Sequence, residues 1–282
     1  MTYILRRRKL GLTSCREMSK FSKTGITFVR NDKPLPQDPN ELCIRWGCTS
    51  NVPQKRVLNK AKAIHLVADK TRFRGLLDDA ELCPQTWDNT HAWIRDFEEG
   101  TTYILRPSVH HQGRNFHVIT SIDEGIQWAQ HYLNKGKGYY ISPFIDKVAE
   151  YRVFVVSERV ACVAQKTPAN PKDYAWNVAK GGRFDNVRWD DWPLKAVRVS
   201  VEAFKLSGLD FGGVDIMVDR DGGVHVLEIN SAPSLTSPYR QECMAKCFDY
   251  IVQHGKEHIP LITERGGYLK FIHPAITPKA KV

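Results

Sequence analysis

Two β-rich runs, Gly213–Val218 and Val224–Ile229, flank an Asp221-Gly222 turn signal, so the segment Leu209–Leu235 reads as a β-hairpin. This hairpin constrains the chain most, because it plants polar groups in otherwise apolar strands. Asp215 lies inside the first strand, while Glu228 and Asn230 are two apart in the second and project from one face. Carboxylates in such strands are costly unless something positive neutralises them. Two readings follow. The three residues form an all-oxygen set of the kind that Mg²⁺ prefers, completed by water and phosphate oxygens; or they are the solvated face of an edge hairpin whose strand ends at Asn230.

Val214-Asp215-Ile216, a turn, and then Val226–Leu235 (VLEINSAPSL) resemble the metal-binding strands of the ATP-grasp superfamily, with the ending typical of the ribosomal-protein glutamate ligases. Other pieces follow in the family's order: Ala68-Asp69-Lys70 opening a helix, Cys83-Pro84-Gln85-Thr86, Leu105-Arg106-Pro107 before His111-Gln112-Gly113, and Glu150-Tyr151-Arg152-Val153. Together they cover roughly residues 60 to 255. No single short piece is decisive; the ordered set is.

The resemblance implies a mixed α+β and α/β chain. Its centre would be an ATP-grasp fold, two α+β subdomains gripping ATP, preceded by a small open α/β domain. The expected segments are 1–62 for the preceding domain, 63–140 and 141–260 for the two subdomains, and 261–282 for a tail. The implied chemistry is ATP-dependent, with one or two Mg²⁺ ions or Mn²⁺ in their place. A carboxylate is phosphorylated, and an amine then displaces phosphate to form an amide or peptide bond. The substrates would be an amino acid, a peptide or a protein terminus. A nucleotide-binding regulatory module, a polyanion-binding protein and a kinase on the same scaffold are the alternatives.

The resemblance also implies roles for individual residues. Asp215, Glu228 and Asn230 would hold the metal. Lys70 matches the first nucleotide-contacting lysine, and Arg106 stands where the second phosphate lysine is usual, replacing a point charge by a planar fork. His110, His111, Gln112 and Gly113 lie in the phosphate-gripping loop, which here has one glycine; the two histidines read equally well as ordinary loop residues. Adenine would meet the carbonyl of Pro143 and the amide of Ile145 around Phe144, where relatives often carry Glu or Gln at the position of Pro143. Glu150 would contact the ribose, or else pair with Lys147. Arg152 is placed to meet the transferring phosphoryl group. Lys166–Phe184 reads as a Pro/Asn/Gly-rich mobile loop in which Asn177, Lys180 and Arg183 resemble the family's residues before paired glycines. Lys180 would act with Arg106 and Arg152 in catalysis.

Upstream, strands are expected at Tyr3–Leu5, Ile26–Arg30 and Leu42–Trp46 with a helix over Ser14–Ser22, an open α/β pattern. Arg45 and Asn59 would face the substrate cleft from this domain, or be a surface arginine and a turn asparagine. Composition sets outer limits. A chain of 282 residues, 42% hydrophobic and 26% charged, can bury a sizeable core. No apolar run reaches the ~20 residues of a membrane helix, and the N-terminus runs straight into Arg6-Arg7-Arg8-Lys9, so a cytoplasmic location is expected. Seven cysteines without paired spacing suit reduced thiols. Cys243, Cys247, His254 and His258 fall on one face of a helix over Pro238–His258, but Cys243 and His258 would stand about 22 Å apart, too far for one zinc. The net charge of +10 attracts polyanions or acidic substrates, and no nucleic-acid-binding motif accompanies it.

Overall fold

The structure is a computed structural model that describes residues 1–7, 13–110, 115–170, 176, 181–258, 263–264 and 268–269. An all-parallel sheet of order β2-β1-β3-β4 opens the chain, formed by β1 (Thr2–Arg6), β2 (Thr27–Arg30), β3 (Leu42–Trp46) and β4 (Arg56–Leu58), with α1 (Thr13–Ser19) between the first two. β1 and β3 are buried along their whole length. That is the expected state of inner parallel strands covered on both faces. Tyr3, Leu5 and Cys43 fill one side, while Ile4, Ile44 and Trp46 join the main core on the other.

Three helices follow, α2 (Ala61–Ala68), α3 (Lys70–Asp79) and α4 (Thr90–Arg95). Then comes an antiparallel sheet of order β6-β5-β7, made of β5 (Tyr103–Pro107), β6 (His117–Ile119) and β7 (Tyr139–Pro143), with α5 (Ile122–Leu133) between β6 and β7. Trp87, Trp93, Tyr103, Leu105 and Ile141 build its core.

The largest sheet is antiparallel, of order β10-β9-β8-β11-β12. Its strands are β8 (Lys147–Val156), β9 (Arg159–Thr167), β10 (Arg183–Val187), β11 (Phe211–Asp219) and β12 (Val224–Asn230), joined with α6 (Leu194–Ser207) and α7 (Pro238–His254). One face, with Val153, Val155, Val163, Val214, Ile216 and Ile229, shares a core with residues of α2, α3 and α6. The opposite face changes character along its length. Phe154, Val156, Cys162 and Ala164 share a core with α7 and the N-terminal sheet, whereas Glu150, Arg152, Lys166 and Asp215 crowd the other end. The fold thus leaves one polar corner on a large apolar scaffold.

The predicted hairpin is present, with Gly222 at φ +77° in its turn and Asp219 accepting the amides of Asp221 and Gly223. Other expectations need correction. The proposed loop from Lys166 to Phe184 is strand at both ends, because Lys166 and Thr167 pair with Phe184 and Arg183. The long final helix stops at His254, where Gly255 at φ +80° follows, and Lys256–His258 is a separate 3₁₀ turn. β13 (Thr263–Glu264) and β14 (Tyr268–Leu269) pair beyond it. Cys43, Cys48, Cys83, Cys162, Cys243 and Cys247 are free thiols, all buried. Among the described residues no helix is long and apolar enough to cross a membrane.

Asn59 does not face a cleft. It is 0% exposed at φ +64° and its amide binds the backbone ahead of β11 on both sides. Nδ2 donates to Phe211 O at 2.9 Å, and Oδ1 accepts from Asp210 N and Phe211 N at 2.7 and 3.0 Å. Asparagine suits a left-handed position better than most residues. Asn59→Ala should lower unfolding free energy by about 3 kcal/mol, the cost of stranding buried backbone groups. Urea unfolding would measure it, and a loss below about 1 kcal/mol would mean that those groups find other partners.

Candidate active site

Strand register assembles the polar corner. Arg152 on β8 lies opposite Asp215 on β11, which lies opposite Glu228 on β12, so the three side chains share one face in a single row. Both oxygens of the buried Asp215 accept from Arg152, from Nε at 2.5 Å and Nη2 at 2.6 Å. Burial works against the guanidinium's charge, but Asp215 more than restores it and raises the Arg152 pKa. Gly213 makes this possible, since a Cβ there would stand 2.9 Å from Pro233 Cβ and 3.3 Å from Arg152 Cδ. The register shifts just after Asp215, a bulge of the kind that re-aims side chains beside functional sites.

Glu228 takes its charge compensation from another element. Lys70, the first residue of α3, places Nζ 3.3 Å from Oε2, and Asn230 Nδ2 donates to Oε1 at 2.9 Å. Burial pushes this carboxyl up, yet Lys70 and the Asn230 bond outweigh it and hold the pKa well below the usual carboxylate range. α3 begins at Lys70 because Asp69 caps it, accepting from Arg72 N.

Next along the same face, Glu150 is 2% exposed and held by two ammonium groups. Lys147 Nζ donates to Oε2 at 2.6 Å and Lys166 Nζ to Oε1. The pairing with Lys147 is the alternative that the sequence left open. Lys166 was not singled out from the sequence, where it reads as the start of a loop; its place opposite Glu150 depends on β8 and β9 being neighbours. Burial pulls the Lys147 pKa down against the opposing pull of Glu150.

The three-stranded sheet supplies a second wall. The backbone amide of Lys70 donates to Ser108 O at 2.9 Å, and Thr71 Oγ1 lies 2.6 Å from Ser108 Oγ, so the segment after β5 is tied to the start of α3. Arg106 on β5 has Nη2 2.7 Å from His110 Nδ1 and lies over the Phe116 ring at 5.7 Å. Arg74, one turn beyond Lys70, joins the walls: it donates to Thr86 Oγ1 at 3.1 Å, Ser142 Oγ at 3.2 Å and Pro84 O at 3.3 Å, and lies 4.9 Å over the Tyr140 ring. Arg74 carried no signal in the sequence beyond being a cation.

Pro143 ends β7, and Phe144 N donates to Thr102 O at 2.8 Å, which fixes the connection to β8 and engages the one amide between Pro143 and Ile145. Arg183 sits apart, exposed and paired with Asp185. Arg45 is a loop brace, its Nη1 donating to Cys48 O at 3.2 Å and Ser50 O at 2.6 Å. Gly113, Lys180, His111, Gln112 and Asn177 lie outside the described residues.

Lys70 and Arg152 thus stand beside the two carboxylates of the row, and Arg106 stands on β5, the strand tied to the start of α3 through Ser108. Among the described residues no group of three or more His, Cys, Asp or Glu side chains is placed to hold a metal. A cation here would rest on two carboxylates and the amide oxygen of Asn230. That donor set, all oxygen with no imidazole or thiolate, fits Mg²⁺. Each carboxylate oxygen has a lone pair beyond those its present partner uses.

Residues 110–245 match the RimK-like ATP-grasp domain family model. The chain is similar to a probable alpha-L-glutamate ligase 2 of Hahella chejuensis, 31% identical over 120 residues, which are 41% of this chain and 38% of that one. It is also similar to a probable alpha-L-glutamate ligase of Vibrio vulnificus, 34% identical over 187 residues, 64% of this chain and 60% of that one. The chain thus spans less than two thirds of the length of these relatives. Among solved structures, the ATP-grasp ligase PsnB complexed with minimal precursor superposes with a TM-score of 0.63 at 16% identity, over 89% of this chain and 98% of that one. D-alanine--D-alanine ligase from Bacillus anthracis does so at 0.62 and 14% identity, over 91% and 97%. The fold is therefore the ATP-grasp fold.

Proposed function

We propose that this chain, which carries a RimK-like ATP-grasp domain on an ATP-grasp fold, is an ATP-dependent carboxylate–amine ligase acting through an acyl phosphate. The observation that supports it most is the row Arg152, Asp215, Glu228 on one sheet face with Lys70 of α3 against its end, two anions and two cations in contact. Asp215, Glu228 and Asn230 would hold Mg²⁺, which when bound offsets charge on the transferring phosphoryl oxygens. Lys70 and Arg106 hold the phosphate chain from the two walls. Arg152, kept charged by Asp215, faces the acceptor carboxylate with a fork suited to two oxygens. The segment around Pro143–Ile145 would take the base, and Gly113 and Lys180 are proposed to cover the phosphates. Catalysis is then mostly positioning and charge neutralisation, which needs no nucleophile paired with a base. The substrates are a carboxylate and an amine from amino acids, peptides or protein termini.

The test is the fate of the atoms. The acceptor carboxylate oxygen attacks the γ-phosphorus, the bond to the β,γ-bridging oxygen breaks and ADP leaves. The amine nitrogen then attacks the acyl carbon, phosphate leaves and a proton is lost from nitrogen. Incubation with ATP and pools of amino acids or peptides should yield ADP, phosphate and an amide, and ¹⁸O from the carboxylate should appear in the phosphate. AMP release would overturn the proposal. ADP without label transfer would replace it by hydrolysis or by a kinase on this fold.

A further inference from the structure

The buried residue His110 stands between two groups that dictate its state. An arginine can only donate, so His110 Nδ1, 2.7 Å from Arg106 Nη2, is an acceptor. The ring proton of the neutral imidazole is then on Nε2, which donates to Tyr140 Oη at 3.2 Å. Tyr140 is buried and directly opposite Arg106 in the β5–β7 ladder, with its ring under Arg74. Arg74, Tyr140, His110 and Arg106 therefore form one contiguous chain of contacts. At its end, Arg106 Nε is buried and among the described residues has no hydrogen-bond partner. A buried donor left in that condition is costly until an acceptor arrives.

We infer that His110 is a positioning residue for nucleotide binding: with Tyr140 behind it, it aims the Arg106 fork so that its remaining donors meet a phosphate oxygen. This rests on the reading of Arg106 as a phosphate cation. A lysine at the same place would need no such partner, because an ammonium group presents its charge in every direction, whereas a planar fork binds well only when its plane is fixed. The pairing of His110 with an arginine at 106 is thus one device with two parts.

Calorimetric titration of the full chain with AMP-PNP and Mg²⁺ tests this through a double-mutant cycle. His110→Leu should weaken binding about tenfold, the loss of one hydrogen bond to a charged group. His110→Asn, whose amide oxygen can replace Nδ1 as acceptor, should stay within about threefold of wild type. In an Arg106→Lys background, His110→Leu should change affinity less than about twofold. Equal losses in both backgrounds, or no loss in His110→Leu, would overturn the proposal. Should His110→Leu not fold, Tyr140→Phe takes its place in the cycle, with a loss confined to the arginine background as the expected result and equal losses as the refuting one. Arg106→Ala separates the two layers: unchanged affinity there removes the phosphate role itself, whereas lost affinity with a null cycle removes His110 alone.

Discussion

Glu228→Gln is expected to cut ligase turnover by about a thousandfold while the chain stays folded, since removing one aligned charge at a phosphoryl-transfer site has an effect of that order. The substitution keeps size and keeps an acceptor for Asn230 Nδ2, but it removes the anion facing Lys70. Lys70 and Glu228 side chains are 10% and 26% exposed, so the ion pair itself contributes only about 1 kcal/mol. The effect on stability has a defined pH window. Because the folded pKa of Glu228 lies below its ordinary value of 4.5, its contribution is present above that pH and is lost as pH falls toward the depressed value. The stability gap between wild type and variant should therefore close in acid. Turnover within a few-fold of wild type would remove Glu228 from the proposed metal set.

Asp215→Ala should cost about 3 kcal/mol of stability without metal or nucleotide, because it leaves Arg152 as a buried cation whose partner is gone. The pair is geometrically strong, with both carboxylate oxygens engaged at 2.5 and 2.6 Å and side chains 12% and 6% exposed. The double variant Arg152→Met with Asp215→Leu should regain stability to within about 1 kcal/mol of wild type and stay inactive, since an apolar pair of similar volume carries no desolvation cost. Denaturant unfolding reads both. An Asp215→Ala loss under about 0.5 kcal/mol would mean that Arg152 is solvated or paired elsewhere.

These two predictions separate what local pattern determines from what it does not. Two β-rich runs, Gly213–Val218 and Val224–Ile229, around an Asp-Gly turn are sufficient for the hairpin, since strand propensity and turn chemistry act within a few residues. They put Glu228 and Asn230 on one face of the hairpin with Asp215 in its other strand, and Asp69 as a cap likewise marks the start of α3 at Lys70. Resemblance carried the ATP-grasp fold. Lys166 was misread because the Pro/Asn-rich stretch that follows it hides the last turns of a strand. Its partner Glu150 lies 16 residues away and becomes a neighbour only when β8 and β9 pair. Asn59 binds residues 151 and 152 positions further on, and Arg74 reaches Leu227 O across 153. Periodicity reports which face a residue takes on its own element; which charges meet is decided by the order of strands in the sheet and by helices docking on it. Local pattern accounts for the hairpin, its carboxylates and the capped helix that begins with Lys70. Tertiary structure alone decided that Arg152 answers Asp215, that Lys70 answers Glu228 and that Tyr140 stands behind His110, because ion pairs and hydrogen bonds at these ranges exist only after the chain has been brought together.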